Sequence, residues 1–120
     1  MSRRMLYLDC AGGAAGDMVL CALTEAADCV ALIEELPGKL GFADVILDWP
    51  GGRPGGFAAR RLTVGFDPVA HPDHRNLADV ESIIDRADLE PTVALMAKTV
   101  FRTLAEAEAE VHGTVADEVH

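Results

Sequence analysis

The sequence predicts an α+β fold, a single compact domain with a small sheet of about three strands covered by about four helices. Two segments alternate apolar and polar residues with a period of two, and a segment rich in glycine and proline joins them. Other segments repeat apolar residues at gaps of three and four, as one face of a helix requires. With 120 residues, of which 50% are hydrophobic, the chain is long enough for one core and too short for two.

The first elements predicted are a strand and two helices. Residues 5–8 are four apolar residues in a row that are followed by a glycine cluster, which predicts a short buried strand. The next apolar residues recur at gaps of four, three and four, and they predict a helix that begins at Asp17 with a stripe of Val19, Leu23, Ala26 and Val30. A second helix is expected to begin at Asp28 and to end or kink at Pro37.

A long hairpin is predicted after these helices. Residues 43–49 and 62–66 alternate in hydropathy, and they are the expected second and third strands. Residues 50–56, PGGRPGG, carry no side chain that could build a core, so this segment is expected to be a flexible turn between the two strands.

Two further helices complete the fold. Asn76 is a good N-cap for a helix that buries Leu77, Val80, Ile83, Ile84 and Ala87, and Asp79 adds favourable charge in its first turn. Asp88 is expected to cap the last helix, and Gly113 is expected to end it. The buried stripe of that helix is predicted to be Val93, Ala97, Val100, Leu104, Ala107 and Val111.

The net charge and the cysteines limit the possible partners. A formal charge of −10 repels phosphate backbones and anionic lipid surfaces, so nucleic acid and membranes are not expected partners. The apolar run before Asp9 is too short for a signal core or a membrane span. Three cysteines without a CxxC spacing favour a reducing cytoplasm.

The turn between the first strand and the first helix is a candidate anion site. Gly12, Gly13 and Gly16 leave free backbone N–H groups at a helix start, where a phosphate or carboxylate could bind. Alternatively, Asp17 satisfies these donors and the turn is merely tight. The glycine spacing matches neither a Walker loop nor the dinucleotide fingerprint.

The two aspartates that flank this turn have two interpretations. Asp9 and Asp17 could face each other and hold a hard cation or a cation-bound phosphate. Alternatively, Asp9 accepts backbone N–H bonds within the turn, as aspartate often does.

The four histidines are candidate metal ligands, because imidazole suits nickel, zinc and copper. His71 and His74 lie in the segment HPDHRN, which could also be a solvated linker. His112 lies in the last turn of a predicted helix, where it could simply complement the helix dipole. His120 is the last residue.

Three segments of the chain resemble the nickel insertion protein family. DCAGGAAGDM resembles that family's DCFAGISGDM opening, and HRNLADVESIID resembles its HRHL-x-DI-x-x-II segment. VFRTLAEAEAEVHG and the following EVH resemble its IF-x-x-LAEAEA-x-VHG and EVHFHE segments. Order and spacing agree from Asp9 to His120, so residues 1–120 are identified as the amino-terminal domain of such a protein.

The resemblance implies a function for the complete protein. It would be a CTP-dependent nickel insertase of the lyase type, which uses Mg²⁺ or Mn²⁺ with CTP. Its substrate would be the nickel-free pyridinium-3,5-bisthiocarboxylic acid mononucleotide, an intermediate in nickel pincer cofactor biosynthesis. The match places residues in the site motifs, and their individual roles are our inference: Asp9 and Asp17 as catalytic residues, and Gly12, Gly13, Gly16 and Arg75 as phosphate-binding residues. The implied nickel ligands are His71, His74, His112, Glu118 and His120, which we expect to share one pocket with the glycine turn.

The chain also departs from the family pattern. Ala11, Ala15 and Asn76 stand where the family usually has Phe, Ser and a second His. The family sequence continues beyond the segment matched here, and that continuation includes the part associated with CTP, so full turnover by this chain alone is not expected. The expected partners are the substrate, the missing carboxy-terminal part or its separate chain, and possibly further copies in a homo-oligomer. Two alternatives stay open: a non-catalytic assembly domain, and a nucleotide-binding module that uses only the glycine turn.

Overall fold

A computed structural model describes residues 5–56, 58–71 and 74–119. In these ranges the helices are α1 (Gly16–Ala27), α2 (Val30–Glu34), α3 (Leu36–Lys39), α4 (Leu77–Arg86) and α5 (Pro91–His112). The strands are β1 (Ile46–Asp48), β2 (Gly51–Gly52), β3 (Ala59–Arg60) and β4 (Thr63–Gly65). Two 3₁₀ turns, Pro54–Gly56 and Ala116–Glu118, complete the architecture. The predicted α+β class is confirmed.

The predicted hairpin is formed, and it consists of two short antiparallel sheets. β1 pairs with β4, with Leu47 opposite Val64, and β2 pairs with β3, with Gly51 opposite Arg60. Pro50 separates the sheets because it has no N–H to donate to a ladder, although its carbonyl accepts the N–H of Arg61 at 3.1 Å. The expected flexible turn of residues 50–56 therefore contains β2 and a 3₁₀ turn.

The strand predicted at residues 5–8 is not formed, and that prediction was wrong. These residues lie outside any helix or strand, and the side chains of Met5 and Tyr7 are 95% and 84% exposed. A strand is stabilised by ladder hydrogen bonds to a neighbour. In the described part of the chain the sheets are the pairs β1–β4 and β2–β3, and neither includes residues 5–8.

The boundary between the first helices differs from the prediction. Asp28 does not start a second helix; it ends α1 in the left-handed conformation (φ 52°), with its N–H bonded to the carbonyl of Glu25 at 3.2 Å. The predicted second helix is divided at Glu35 into α2 and α3. Pro37 lies in the first turn of α3, where its missing N–H leaves no helical bond unmade, so it starts a helix rather than ending one.

Helix α4 begins at the predicted cap. The side chain of Asn76 accepts the N–H of Asp79 at 2.9 Å, and the carboxylate of Asp79 accepts the N–H of Asn76 at 3.2 Å. This reciprocal pair satisfies two backbone donors at the start of the helix. Leu77 and Ile84 are buried on its inner face, as predicted.

Helix α5 is capped by Glu90 rather than by Asp88, which corrects the prediction. Because Pro91 occupies the first helical position, the N-cap falls at residue 90, and the carboxylate of Glu90 accepts the N–H groups of Thr92 and Val93. The pKa of Glu90 lies below its ordinary value. The hydrogen bond from the Thr92 hydroxyl is the main cause, and the bonds from the two N–H groups act in the same direction. Gly113 ends the helix in the left-handed conformation, as predicted.

The buried face of α5 is not the predicted stripe. Val100, Leu104 and Val111 are 62%, 54% and 82% exposed, whereas Ala105 and Ala109 are buried. The face of α5 that carries Lys98 and Arg102 is turned toward α4 instead. There Lys98 lies 2.5 Å from Asp85, and Arg102 pairs with Glu81.

None of the helices in the described ranges combines the length and the apolar character that a membrane crossing requires.

The cap of α4 gives a prediction about stability. Replacing Asn76 by Ala removes the acceptor for the N–H of Asp79, so we expect a loss of about 1 kcal/mol in the free energy of unfolding. Urea denaturation followed by circular dichroism measures this loss. Asn76→Ser, which keeps a capping oxygen, is the matched control and should lose less; equal losses for the two variants would contradict the capping role.

Candidate functional site

His71 lies at the centre of a small cluster of side chains. Its Nε2 is 2.8 Å from Oδ2 of Asp44, and its Nδ1 is 3.4 Å from Nη2 of Arg75. The rings of Phe42 and Phe66 meet it edge-on, with ring centroids 5.5 and 5.9 Å away. These five residues form what we call the His71 cluster.

The hairpin brings the members of this cluster together. β1 and β4 are antiparallel, so the residues just before β1 and those just after β4 lie at the same end of the sheet. Asp44 precedes β1, and Phe66 and His71 follow β4. Gly41, at φ 82°, allows the chain to turn after α3, and the N–H of Phe42 then bonds back to the carbonyl of Pro37 at 2.8 Å.

The partners of His71 indicate its tautomer. A carboxylate can only accept and a guanidinium can only donate, so Nε2 carries the hydrogen toward Asp44 while Nδ1 accepts from Arg75. The guanidinium carbon of Arg75 also lies 5.3 Å from the centroid of the Phe42 ring, which is a cation–π distance. Arg75 therefore covers the unprotonated nitrogen of His71.

Asp44 is held in its charged form. The hydrogen bond from His71 is the main cause that lowers the pKa of this carboxyl below its ordinary value of 3.8. The backbone N–H of Asp67, 3.4 Å from Oδ2, acts in the same direction.

A cleft of about 660 Å³ lies beside the cluster, between the end of α3 and one face of α4. Its polar lining includes Lys39, His74, Arg75 and Arg86, and we call it the cationic cleft. Arg75 belongs both to this cleft and to the His71 cluster. His74 is exposed at its edge, and residues 72 and 73 fall outside the described ranges.

The other predicted nickel ligands lie on different elements. His112 is in the last turn of α5, and Glu118 is in the 3₁₀ turn that follows, where it accepts the hydroxyl of Thr114 at 2.6 Å. His120 lies outside the described residues. In residues 5–56, 58–71 and 74–119, no three His, Cys, Asp or Glu side chains come close enough together to hold a metal ion. The ligand set of five residues stays a prediction.

The glycine turn adopts a tight, open conformation. Oδ1 of Asp9 accepts the N–H of Ala11 at 3.1 Å, which is the turn-capping contact considered as the alternative to a cation ligand. Gly13 has φ 92°, and its N–H bonds to the carbonyl of Cys10 at 2.8 Å. An added Cβ at Gly12, Gly13 or Gly16 would meet no heavy atom within 4 Å. The backbone of this turn is therefore accessible.

Asp17 lies in the first turn of α1, and it lines a second cleft of about 580 Å³ that α1 forms with β3. Arg60 and Arg61 also line this second cleft, and Arg60 lies 3.8 Å from Glu25 of the same lining. His74 lines the cationic cleft instead. Asp17 and His74 thus line separate clefts, whereas the sequence analysis expected the turn and the histidines to share one pocket.

Several members of this region carry no signal in the sequence. Asp44, Phe42 and Lys39 belong to no motif, and only the turn after α3 and the β1–β4 pairing bring them to His71 and Arg75. Arg86 did have a signal in the sequence. Polar residues follow Arg75 at gaps of four, three and four, so one face of α4 carries Asp79, Ser82 and Arg86.

Comparison with known proteins identifies the family. Residues 6–120 match the family model described as "Nickel insertion protein". The chain belongs to the nickel insertion protein family. No solved structure shows a significant match to it.

The relatives of this nickel insertion chain are longer proteins. A relative from Nocardioides sp. is 40% identical over 114 residues, covering 95% of this chain and 28% of its own length. A relative from Akkermansia muciniphila is 36% identical over 124 residues, covering 98% and 30%. Both are named pyridinium-3,5-bisthiocarboxylic acid mononucleotide nickel insertion protein. A putative nickel insertion protein from Desulfotalea psychrophila is 37% identical over 117 residues, covering 98% and 30%. The chain therefore spans 28% to 30% of these relatives.

The Asp44–His71 hydrogen bond gives a prediction about acid stability. Because the pKa of Asp44 is lowered by folding, the stability it contributes is fully present above its unfolded-state pKa and is lost as the pH falls through the folded-state pKa. Asp44→Asn should therefore show a shallower fall in the free energy of unfolding than the wild-type chain as the pH is lowered below the ordinary value of 3.8.

Urea denaturation at a series of pH values measures these curves. Glu34→Gln removes an exposed carboxyl group from α2 and should keep the wild-type slope. Parallel curves for Asp44→Asn and the wild type would contradict the role given to this bond.

Proposed function

We propose that this chain supplies a nickel- and anion-binding part of a protein that inserts nickel into pyridinium-3,5-bisthiocarboxylic acid mononucleotide. The observation that carries the proposal is the Asp44–His71 pair in a chain of the nickel insertion family. The substrate is that of the named relatives, and its assignment to this chain is part of the proposal.

The Asp44–His71 pair is the arrangement that commonly orients a metal-binding imidazole. A carboxylate that accepts one ring N–H fixes the tautomer and raises the basicity of the other nitrogen. Here that other nitrogen is Nδ1, and a neutral imidazole nitrogen is a suitable ligand for nickel. His74, three residues further along the chain, would supply a second imidazole.

Arg75 makes this a site for temporary binding rather than storage. Its guanidinium is directed at Nδ1 of His71 at 3.4 Å, so Ni²⁺ reaches that nitrogen only when Arg75 moves away. A positive charge beside a bound Ni²⁺ also weakens its binding. A protein that must pass nickel on to the sulfur atoms of a substrate benefits from such a weak site.

We assign no CTP-binding residues in this chain. In the part of the chain that the structure describes, no three metal-binding side chains converge that could hold Mg²⁺ or Mn²⁺ with a nucleotide. As part of this proposal, the use of CTP that the family resemblance implies is assigned to the region that the longer relatives have beyond the matched segment.

The cysteines support a cytoplasmic location as part of this proposal. Cys10, Cys21 and Cys29 are free thiols. Free thiols persist in a reducing compartment.

Nickel binding by the histidine segment is directly testable. We expect isothermal titration calorimetry to detect Ni²⁺ binding, and we expect His71→Ala and His74→Ala each to weaken it by about tenfold or more, because each removes one imidazole ligand. Asp48→Asn, which removes an exposed oxygen ligand outside the three motifs, should leave the affinity unchanged. Absence of binding, or equal affinity in all three variants, would refute the proposal.

A second candidate function is supported by the exposed stripe of α5. Val93, Val100, Leu104 and Val111 lie at heptad spacing and are all more than half exposed. Exposed apolar residues that line one side of a long helix mark an interaction surface. We propose that this stripe docks onto the region that the longer relatives have beyond the matched segment, which would make the chain an assembly domain as well.

Co-expression tests this docking. The chain co-expressed with the remainder of the Nocardioides relative should elute with it in size-exclusion chromatography, and the double variant Val100→Ser/Leu104→Ser should not. Leu95→Ser is the matched control, because Leu95 is 68% exposed and lies on a different face of α5. Separate elution of the wild-type chain would refute docking, and the chain's own elution volume shows whether it forms a homo-oligomer.

A further inference from the structure

We propose that the cationic cleft between α3 and α4 is a binding site for a phosphate monoester, with Lys39, Arg75 and Arg86 as its cationic groups. The proposal deepens the proposed function, because it gives the phosphate of a pyridinium mononucleotide a place in this chain. That choice of ligand rests on the proposed function, whereas the anion site itself rests on the geometry below.

The charge of the cationic cleft is opposite in sign to the net charge of the chain. The chain carries a formal charge of −10, yet among the described residues this cleft is lined by three cations and one carboxylate, that of Asp79. The carboxylate of Asp79 already accepts the N–H of Asn76 in the cap of α4. A concentration of positive charge on an acidic chain attracts an anion to this cleft in particular.

The cations of the cleft have partners that leave them able to bind an anion. Arg75 and Arg86 contact neutral groups, the ring of His71 and the hydroxyl of Ser82, the latter at 2.6 Å. Lys39 is 3.8 Å from Glu35, and both side chains are largely exposed, so this pair is weak. Because guanidinium groups bind phosphate with two parallel hydrogen bonds, the two arginines are suited to a phosphate group.

The cleft is large enough for a small molecule, and part of its lining is apolar. A volume of about 660 Å³ lies within the range of small-molecule sites. Leu40, Phe42 and Ile83 contribute apolar surface beside the cations. The cleft can therefore accept a ring or sugar attached to the phosphate as well as the phosphate itself.

The second cleft, which α1 forms with β3, is less suited to a phosphate. Its lining contains two arginines, Arg60 and Arg61, but also two carboxylates, Asp17 and Glu25. Arg60 is already 3.8 Å from Glu25. The charges there cancel, so the excess positive charge that a phosphate requires lies in the cationic cleft.

The test is calorimetric titration of the whole chain with nicotinic acid mononucleotide in the absence of metal. This probe is a pyridinium mononucleotide with one phosphate. We expect saturable binding that Arg86→Gln and Lys39→Gln each weaken by about tenfold, the effect of losing one charge-assisted contact. Arg53→Gln removes an exposed positive charge outside the cleft, and it should bind like the wild type.

Two further titrations identify what is bound. Nicotinic acid riboside, which lacks the phosphate, should not bind, and inorganic phosphate should compete with the mononucleotide. The proposal would be overturned if the mononucleotide did not bind, or if the riboside bound as tightly as the mononucleotide. Equal affinity for Arg86→Gln and Arg53→Gln would also overturn it.

Two controls keep the result interpretable. Circular dichroism checks each fold, and if Arg86→Gln unfolds, Lys39→Gln carries the comparison because Lys39 lies at the end of α3, outside α4. The nickel titration separates this proposal from the proposed function. If the chain binds the mononucleotide but not nickel, the cleft proposal is supported and the nickel site is refuted. If the chain binds nickel but not the mononucleotide, the nickel site is supported and the cleft proposal is refuted.

Discussion

The hydrogen bond between Asp44 and His71 joins two loops that are 27 residues apart in the chain. It exists because β1 and β4 pair in one register, which places the residue before the first strand beside the segment after the last. The charged carboxylate fixes the ring of His71, and the ring in turn accepts a bond from Arg75. The position of Arg75, and with it the boundary between the His71 cluster and the cationic cleft, therefore depends on this one interaction.

Helix α4 connects the site to the rest of the fold because its faces carry different chemistry. One face buries Leu77 and Ile84 in the core. A second face presents Glu81 and Asp85 to the cations of α5, and a third presents Arg86 to the cleft. Since a helix turns by about 100° per residue, ten residues are enough to serve three neighbours. Burial of Leu77 and Ile84 favours one rotation of α4, and in that rotation the cleft-lining face is turned toward α3.

The packing of α5 against α4 leaves one face of α5 buried and its apolar stripe exposed. The face of α5 that carries Ala105 and Ala109 is buried, and Lys98 and Arg102 pair with carboxylates of α4. The larger apolar residues are left outside, where exposure forgoes about 25 cal/mol for each Å² of apolar surface. In a family whose members are more than three times as long as this chain, a long apolar helix face is the kind of surface through which domains pack.

The sequence by itself determined the local structure and the family. The cap at Asn76, the end of α5 at Gly113 and the hairpin strands were predictable because neighbouring residues decide each of them, and the motifs from Asp9 onward identified the family. The sequence also directed attention to His71, His74 and Arg75. Only the tertiary structure decided that Asp44 orients His71, that residues 5–8 form no strand, and that the long stripe of α5 is exposed. Each of these depends on a partner distant in the chain, and periodicity describes which residues share a face but not which face another element covers.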